Sequence, residues 1–294
     1  MTIQSSFGWR KLRFGVGFML TLSLMSCTEK KTKDVPAPAP PTPTTPAVNE
    51  EARDYNQYTE LKWSDEFDTG SLDQSKWVYE QGGGGWGNNE LQNYTNSTDN
   101  TFLSGGNLVI QARQQQSGNN AYTSARLITK GKQSFQFGRI DVRAKVPKGK
   151  GVWPAIWMLG DNIDQNNWPM CGEIDILELR GSRPMELLST MHFGNSVADH
   201  RFKGTTQTLA IDLSEDFHTY SVVRSKDLLR FYLDGAATPY YTFTSSDASP
   251  FPFNNPFFLI LNVAVGGNFD GNPDGTAVFP KQMQVDYVRY YQYK

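Results

Sequence analysis

Three carboxylates lie close together in the segment 168–180, WPMCGEIDILELR, which is otherwise mostly apolar. On a flat β-strand Glu173 and Asp175 share one face, because side chains alternate with a period of two residues. Glu178 would then point to the opposite face and into the core, where an unpaired carboxylate costs several kcal/mol. One extra residue, absorbed as a β-bulge between Asp175 and Glu178, restores the register. We therefore predict a bulged strand that presents all three acids on one surface.

Three acids on one concave face indicate paired carboxylate chemistry. They repel one another, so at least one proton is held at neutral pH. Glycosidases use such a pair, with an ionised nucleophile and a protonated general acid. Glu173 and Glu178 would lie about 5–5.5 Å apart, the spacing of retaining enzymes, and Asp175 would hydrogen-bond Glu173. A metal site is the alternative, but calcium usually recruits acids from loops rather than from a β-branched strand. The sequence therefore favours a catalytic site over a metal site.

The elements that must position these acids are strands. Gly and Asn/Asp pairs punctuate the sequence, and no stretch of a dozen residues shows a capped 3.6-residue period. Many short strands without helices indicate an all-β sandwich or barrel. We predict a jelly-roll β-sandwich of two curved antiparallel sheets with a concave substrate cleft. The clearest strand signals, rich in β-branched and aromatic residues, lie at 107–113, 137–146, 219–224, 228–233 and 285–292.

The N-terminal part has the composition of an export signal. Basic residues precede an apolar run at 14–26, which is too short to cross a bilayer as a helix. The run ends at Ser26-Cys27, which is similar to the lipobox of bacterial lipoproteins, in which the cysteine takes a diacylglycerol. An ordinary signal peptide is the alternative. We expect an exported lipoprotein of the cell envelope, held at the outer membrane or cell surface.

Three regions follow from this interpretation. Residues 1–26 form a lipoprotein signal peptide, and residues 27–57 form a lipid-anchored linker rich in Pro and Thr, which cannot bury a core. Residues 58–294 form one catalytic β-sandwich. If Cys27 is acylated, Cys171 has no disulfide partner and is expected to be a buried, inert thiol.

Charge excludes some partners. Removal of the signal takes three basic residues from a chain of net charge −2, which leaves −5. Such a balance gives no field that would attract nucleic acid or anionic lipid. We therefore expect contact with a membrane only through the anchor at Cys27, and a monomer.

The sequence resembles glycoside hydrolase family 16, and within it the laminarinase-like β-1,3-glucanases, over about residues 60–293. The segment GEIDILE at 172–178 matches the bulged E-x-D-x-x-E signature of that branch in order and spacing. The resemblance implies a retaining endo-glycosidase that cleaves β-1,3-glucosidic bonds of laminarin-type glucan, and it leaves open whether mixed β-1,3/1,4-glucan is a substrate as well. Other co-linear matches are WSDEFD at 63–68, WGNNELQ at 86–92, YTSARLITKG at 122–131, VWPAIWML at 152–159, NVAVGGN at 262–268 and VDYVR at 285–289.

The resemblance also implies roles for individual residues. Glu173 is the nucleophile, Glu178 the acid/base and Asp175 its helper. Tryptophan suits sugar binding because the axial C–H face of a glucosyl ring packs on an indole, although core packing is the alternative for Trp153 and Trp157. The implied substrate-binding residues are Trp86, Asn88, Glu90, Arg126, Trp153, Trp157, His192 and Asn262.

No cofactor is expected for catalysis. A structural Ca²⁺ on the convex side is implied by the resemblance, at Glu66, Gly106 and Asp286, partly through backbone oxygens. Two departures from the family pattern are visible. Residues 220–224 lack the usual Glu-Trp pair, which is expected to alter a contact of the convex sheet. Phe269 replaces a frequent tryptophan, which is expected to weaken a distal sugar platform.

Two other functions stay open at this point. An agarase- or carrageenase-like galactan hydrolase of the same family can share the bulged signature, but a sulfated substrate calls for a basic cleft. A non-catalytic glycan-binding sandwich can share the fold, because fold does not determine function. Such a binding protein would have no reason to place three acids on one strand face. Endo or exo action depends on loops at the ends of the cleft.

Overall fold

The computed structural model of the protein describes residues 50–294. The predicted signal peptide, the acylated Cys27 and most of the predicted linker lie outside the described residues. Within residues 50–294, no helix is long and apolar enough to cross a lipid bilayer.

Strands make up the regular structure of the described residues. Four single-turn 3₁₀ helices accompany them, at Tyr55–Gln57, Val197–Asp199, Ser245–Asp247 and Pro252–Asn254. The strands are β1 (Glu60–Asp65), β2 (Val78–Glu80), β3 (Gln92–Tyr94), β4 (Thr101–Ser104), β5 (Asn107–Ala112), β6 (Tyr122–Ser124), β7 (Arg126–Ile128), β8 (Gly138–Lys145), β9 (Val152–Gly160), β10 (Glu173–Glu178), β11 (Glu186–Phe193), β12 (Arg201–Thr208), β13 (His218–Ser225), β14 (Leu228–Leu233), β15 (Tyr241–Thr244), β16 (Phe257–Val265) and β17 (Lys281–Gln292). The five predicted strand segments correspond to β5, β8, β13, β14 and β17, and residues 50–294 contain no α-helix.

Two large antiparallel sheets form the sandwich. The outer sheet has the order β15-β14-β13-β8-β17-β5-β4, and β1 also pairs with β17. The inner sheet has the order β12-β11-β10-β9-β16-β7-β2. Strands β3 and β6 form a separate parallel pair. Several neighbours within each sheet are distant in sequence, as in β8 with β17 and β9 with β16. The predicted all-β jelly-roll sandwich is confirmed.

The core lies between the two sheets. Inner-sheet residues such as Ile174 and Leu261 pack there with outer-sheet residues such as Val222 and Val288. Strand β16, FFLILNVAV, is buried at every position, and Phe258 and Ile260 on its second face belong to a smaller cluster that includes Leu159. A strand buried on both faces has a continuous apolar sequence rather than an alternating one.

The departure at residues 220–224 produces a buried arginine. Arg224 is 1% exposed. Its guanidinium donates to the carbonyls of Phe135 at 2.9 Å, Phe253 at 2.8 Å and Asn255 at 2.7 Å. Three carbonyls satisfy donors that would otherwise be costly to bury. Arg224 thus fastens β13 to the loops that carry Phe135 and Phe253.

The chain before β1 packs on the outer sheet. Tyr55 and Tyr58 are buried and form a cluster with Val223 and Tyr232. The Tyr55 hydroxyl donates to Oδ1 of Asp141 at 3.1 Å. Tyr55 falls inside the predicted linker, so packing against the sandwich begins before the boundary that we predicted at residue 58.

Candidate active site

A cleft of about 670 Å³ lies on the face of the inner sheet that points away from the core. The three predicted catalytic acids and the eight predicted substrate-binding residues all line this cleft. These residues are Trp86, Asn88, Glu90, Arg126, Trp153, Trp157, Glu173, Asp175, Glu178, His192 and Asn262. The structure therefore brings together every residue of the predicted site, and the role of each one stays a prediction.

A β-bulge in β10 places the acids on the cleft face. Against β9, Asp175 pairs with Trp157 and Leu177 with Ile156, so two steps on β10 match one on its neighbour. The register against β11 shifts in the same interval. Ile176 and Leu177 are both buried in the core, and the next residue, Glu178, returns to the cleft. The predicted bulge is confirmed, and it lies between Asp175 and Glu178 as the spacing required.

Indole N–H groups hold the two outer acids of the motif. Nε1 of Trp168 donates to Oε2 of Glu173 at 2.7 Å. Nε1 of Trp153 donates to Oε1 of Glu178 at 3.1 Å. Each carboxylate therefore has one oxygen oriented by a neutral donor and keeps its other oxygen free of these two indoles. Such orientation is what a nucleophile and a proton donor need on either side of a substrate bond.

His192 joins the central acid to a second histidine. Its Nε2 lies 3.2 Å from Oδ2 of Asp175 and 3.8 Å from Oε1 of Glu173. Its Nδ1 lies 2.8 Å from Nε2 of His200. Burial by itself lowers the pKa of His192, but the contact with Asp175 and the charges of the three acids outweigh it and raise the pKa to about 9. A pKa in that range favours the protonated imidazole at neutral pH, and a protonated His192 donates its second N–H to His200.

The electrostatics favour retention of a proton by the acids. Burial, followed by the charge of Asp175, raises the pKa of Glu173. Burial and the charges of Asp175 and Glu173 likewise raise the pKa of Glu178. Carboxylic acids at such close range cannot all be ionised at once, because their negative charges repel. The site therefore keeps at least one acid proton near neutral pH.

Arg126 is held between two tryptophans. Its guanidinium lies 4.7 Å from the ring centre of Trp86 and 4.6 Å from that of Trp157. Nε of Arg126 lies 2.5 Å from Glu80 on the neighbouring strand β2. Arg126 therefore covers one face of each indole and fixes its orientation, which is a positioning role in addition to the predicted bonds to sugar hydroxyls.

A buried polar network supports the same side of the cleft. Glu90, 8% exposed, accepts from Nε2 of Gln92 at 2.6 Å and from Nδ2 of Asn88 at 3.3 Å. Burial raises the pKa of Glu90. Asn262 accepts from Nε1 of Trp157 at 2.7 Å and donates to the hydroxyl of Tyr94 at 3.0 Å. Asn262 thus orients Trp157 by a direct bond.

Phe269 takes part in a stack at another side of the cleft. Its ring centre lies 4.6 Å from that of Trp153 at an interplanar angle of 26°. The guanidinium of Arg180 covers Phe269 at 4.6 Å, and Nε of Arg180 donates to the Phe269 carbonyl at 3.3 Å. The residue that replaces a frequent tryptophan therefore still lies in the cleft and supports Trp153, which in turn donates to Glu178.

The side chains that line the cleft but were not predicted as site residues include Trp168, Arg180, His200 and Phe202. Arg180 could have been found, because alternation places it on the same face as Glu178. Trp168 lies in a loop without periodicity, although it begins the acid-bearing segment. Phe202 lies opposite His192 in the β11–β12 register, a pairing that nothing in the local sequence indicates.

The acids do not make a good metal site. Among the described residues, the ligand atoms of Glu173, Asp175 and His192 lie within 4.8 Å of one another. A protonated imidazole has no lone pair for a metal, and despite burial the contact with Asp175 and the neighbouring acids raise the pKa of His192 to about 9. The donor set therefore fits proton storage better than cation binding.

The residues of the predicted calcium site lie in the outer sheet and its turns, and their carboxylates already have cationic partners. The Glu66 carboxylate accepts from Arg289 at 2.7 and 3.0 Å. Asp286 forms an ion pair with Arg143. These carboxylates do not fit a divalent cation, so such a site would need backbone oxygens, including that of Gly106. On that basis the calcium site stays a prediction.

Known proteins are similar to this chain in sequence and in fold. The model of the family "Glycosyl hydrolases family 16" matches residues 88–289. The chain is 41% identical to a glucan endo-1,3-beta-glucosidase A1 of Niallia circulans over 283 residues, 85% of this chain but only 39% of that protein. It is 41% identical to a beta-glucanase of Rhodothermus marinus over 80% of this chain and 85% of that one. The laminarinase catalytic domain of Thermotoga maritima superposes with a TM-score of 0.74 at 42% identity, covering 80% of this chain and 98% of that one. The chain belongs to glycoside hydrolase family 16.

Proposed function

We propose that the protein is an endo-acting β-1,3-glucanase that hydrolyses laminarin-type glucan with retention of configuration. The observation that carries the reaction is the bulged strand β10, which presents Glu173, Asp175 and Glu178 together in one cleft. The substrate class rests on relatives named as endo-1,3-β-glucosidase and laminarinase.

In the first step, a carboxylate oxygen of Glu173 attacks the anomeric carbon and the glycosidic C–O bond breaks. The proton of Glu178 moves to the leaving oxygen, so the departing chain leaves as a neutral alcohol. In the second step, Glu178 takes a proton from water, and the water oxygen displaces Glu173 from the anomeric carbon. Glu178 is then protonated again and Glu173 is ionised, which restores the starting state.

The protonated His192 has an electrostatic role in this scheme. Its contact with Asp175 balances one negative charge, so that Glu173 can ionise while Glu178 keeps its proton. Asp175 lies between the two other acids on the cleft face and links them to this cation. In this scheme Glu178 holds the proton and His192 carries the positive charge that balances Asp175. All of these groups face the glycosidic bond that breaks.

The cleft offers little to a sulfated galactan. Both arginines that line it, Arg126 and Arg180, have acidic neighbours: Glu80 at 2.5 Å and Glu186 at 3.5 Å. A sulfate would have to compete with these carboxylates. Charge therefore favours a neutral glucan over carrageenan, while neutral agarose must be separated by experiment.

The test is product analysis on laminarin, lichenan, agarose and carrageenan. We expect oligosaccharides of several lengths from laminarin, released first as the β-anomer in ¹H NMR. Early release of glucose or of one short product only would contradict endo action, and an initial α-anomer would contradict the retaining mechanism. Preferred cleavage of agarose or carrageenan would establish the galactan alternative, and binding without cleavage would establish the glycan-binding alternative.

We further propose that Cys27 carries a lipid and that the Pro/Thr-rich linker after it lets the enzyme act outward on polymer at the cell envelope. The sequence around Cys27 supports this proposal. Labelled palmitate should enter the full chain and not Cys27→Ser. Release of the unmodified wild-type protein into the medium would overturn the proposal.

A further inference from the structure

The edge strand β12 forms one side of the cleft, opposite the side that carries Arg126. In the inner sheet β10 lies two strands from β12, whereas β7, which carries Arg126, lies on the other flank beyond β9 and β16. Neighbouring strands are about 4.8 Å apart, so β12 is about 10 Å from the acids. Only a substrate longer than the sugar at the acids could reach it.

The register aligns β12 with the acids in rows across the sheet. Glu173 pairs with His192, and His192 pairs with Phe202. In the next row on the cleft face, Asp175 pairs with Thr190, and Thr190 pairs with Gly204. Residues that pair directly point to the same face of a sheet. The Phe202 ring therefore stands on the cleft face beside Gly204, which adds no side chain to the floor.

Phe202 is an unusual residue for this position. It is 69% exposed, although its ring centre lies only 5.8 Å from that of His192 and 6.1 Å from that of His200. His200 packs in turn on Trp168 at 4.5 Å. The Phe202 ring thus contacts two imidazoles and is still mostly exposed, in a cleft that it shares with the acids.

We propose that Phe202 and the floor at Gly204 form a glucan subsite on the β12 side of the cleft, in which the Phe202 ring stacks on the apolar face of a glucosyl unit. This inference rests on the proposed function, because it extends the same glucan chain past His192. An exposed aromatic ring suits a pyranose ring, which has an apolar face and hydroxyl groups around its edge.

The test measures the binding of β-1,3-gluco-oligosaccharides of increasing length in an inactive Glu178→Gln background. We expect Phe202→Ala to leave the affinity for the shortest ligand unchanged and to weaken the longest by about tenfold, the scale of one aromatic contact. Phe202→Trp should restore the affinity for long ligands. Leu61→Ala is the matched control, since Leu61 is 50% exposed and lies on β1 of the outer sheet.

The possible outcomes are distinguishable. Equal affinity in Phe202→Ala and Leu61→Ala for all lengths would overturn the subsite. Equal weakening at every length would also overturn it, because this would mean that Phe202 acts through His192 rather than on a distant sugar. If the wild-type enzyme released nothing from laminarin, the proposed function itself would fail, whatever the binding data gave.

Discussion

Acidic side chains lie on both sheets of the sandwich, but their surroundings differ. On the outer sheet, Asp141 pairs with Arg139 at 3.1 Å, and Glu66 accepts from Arg289. On the inner sheet, the acids of β10 have only His192 and two indole N–H groups as close partners. Within residues 50–294, no Lys or Arg nitrogen lies within 4.0 Å of them.

The difference shows in the pKa values. Hydrogen bonds from Arg289 lower the pKa of Glu66, whereas burial and neighbouring acids raise the pKa of Glu178. The Arg289 guanidinium favours the ionised state of Glu66, whereas burial outweighs the charge of Arg139 and raises the pKa of Asp141. Without any guanidinium partner, the cluster of acids on β10 must share protons, which costs stability but supplies a proton donor at neutral pH.

Removal of acids from the inner sheet tests whether they take part in catalysis, unlike the acids of the outer sheet. We expect Glu173→Gln and Glu178→Gln to fold and to lose about 100- to 10,000-fold in kcat on laminarin, because each removes a proton donor or a nucleophile. Asp286→Asn, which removes an acid of the outer sheet, should keep near wild-type kcat. Azide should restore turnover of Glu178→Ala with retained configuration. More than about a tenth of wild-type activity in either Gln variant would refute the assigned roles.

The bulge decides whether the third acid belongs to the cleft. Deletion of Leu177 leaves Glu-Ile-Asp-Ile-Glu, in which strict alternation keeps all three acids on one face. Insertion of one Ala between Asp175 and Glu178 turns the last acid toward the core. We expect a measurable remnant of laminarin hydrolysis in the deletion variant and none in the insertion variant, which should also be less stable to urea. The reverse ranking of activities would show that Glu178 does not reach the cleft through a bulge.

Removal of an arginine from the outer sheet should leave an outer-sheet acid without a guanidinium partner, as the acids of the inner sheet are. Arg139→Met leaves Asp141, 5% exposed, without its cation. We expect the free energy of unfolding at pH 7 to fall by about 3–5 kcal/mol in a urea titration, as for other broken buried pairs. Arg143→Met, whose pair with Asp286 is more exposed, should cost less than about 1 kcal/mol. A similar fall in the free energy of unfolding in both variants would contradict the expected difference between the buried and the exposed ion pair.

The smallest expected effect is a difference in how the free energy of unfolding changes with pH, which has opposite signs for an inner and an outer acid. Glu178 has a folded pKa above the value of 4.5 for a free glutamate. The native state therefore keeps a proton that the unfolded state has lost, so this group costs stability as pH rises above 4.5, by at most about 1.4 kcal/mol per pH unit. We expect Glu178→Gln to be more stable than wild type at pH 8 and equal to it below pH 4.

Glu66 should behave in the opposite way. Its folded pKa is lowered, so its contribution to stability is present above the unfolded pKa and is lost as pH falls through the folded one. Glu66→Gln should therefore be less stable than wild type at pH 8, with a difference that shrinks in acid. Urea midpoints across this pH range measure both variants. The same sign for both would contradict the contrast between the two sheets.

Local sequence was enough to predict the main features of the site. The spacing of the acids from 173 to 178 conflicts with strict alternation, and that conflict alone predicted the bulge that the register shows. Alternating and β-branched segments predicted β5, β8, β13, β14 and β17. These features depend on a residue and its near neighbours, where side-chain period and the cost of a buried charge decide the outcome.

The remaining features needed the pairing of distant strands. The sequence did not indicate that Phe202 would lie opposite His192, that Arg126 would stack between Trp86 and Trp157, or that His200 would accept from His192. Each contact joins elements whose register is set by the packing of the whole sandwich. Composition and spacing determine which side chains can act in this protein, and tertiary structure decides which of them meet, because strand order across a sheet is a property of the complete core.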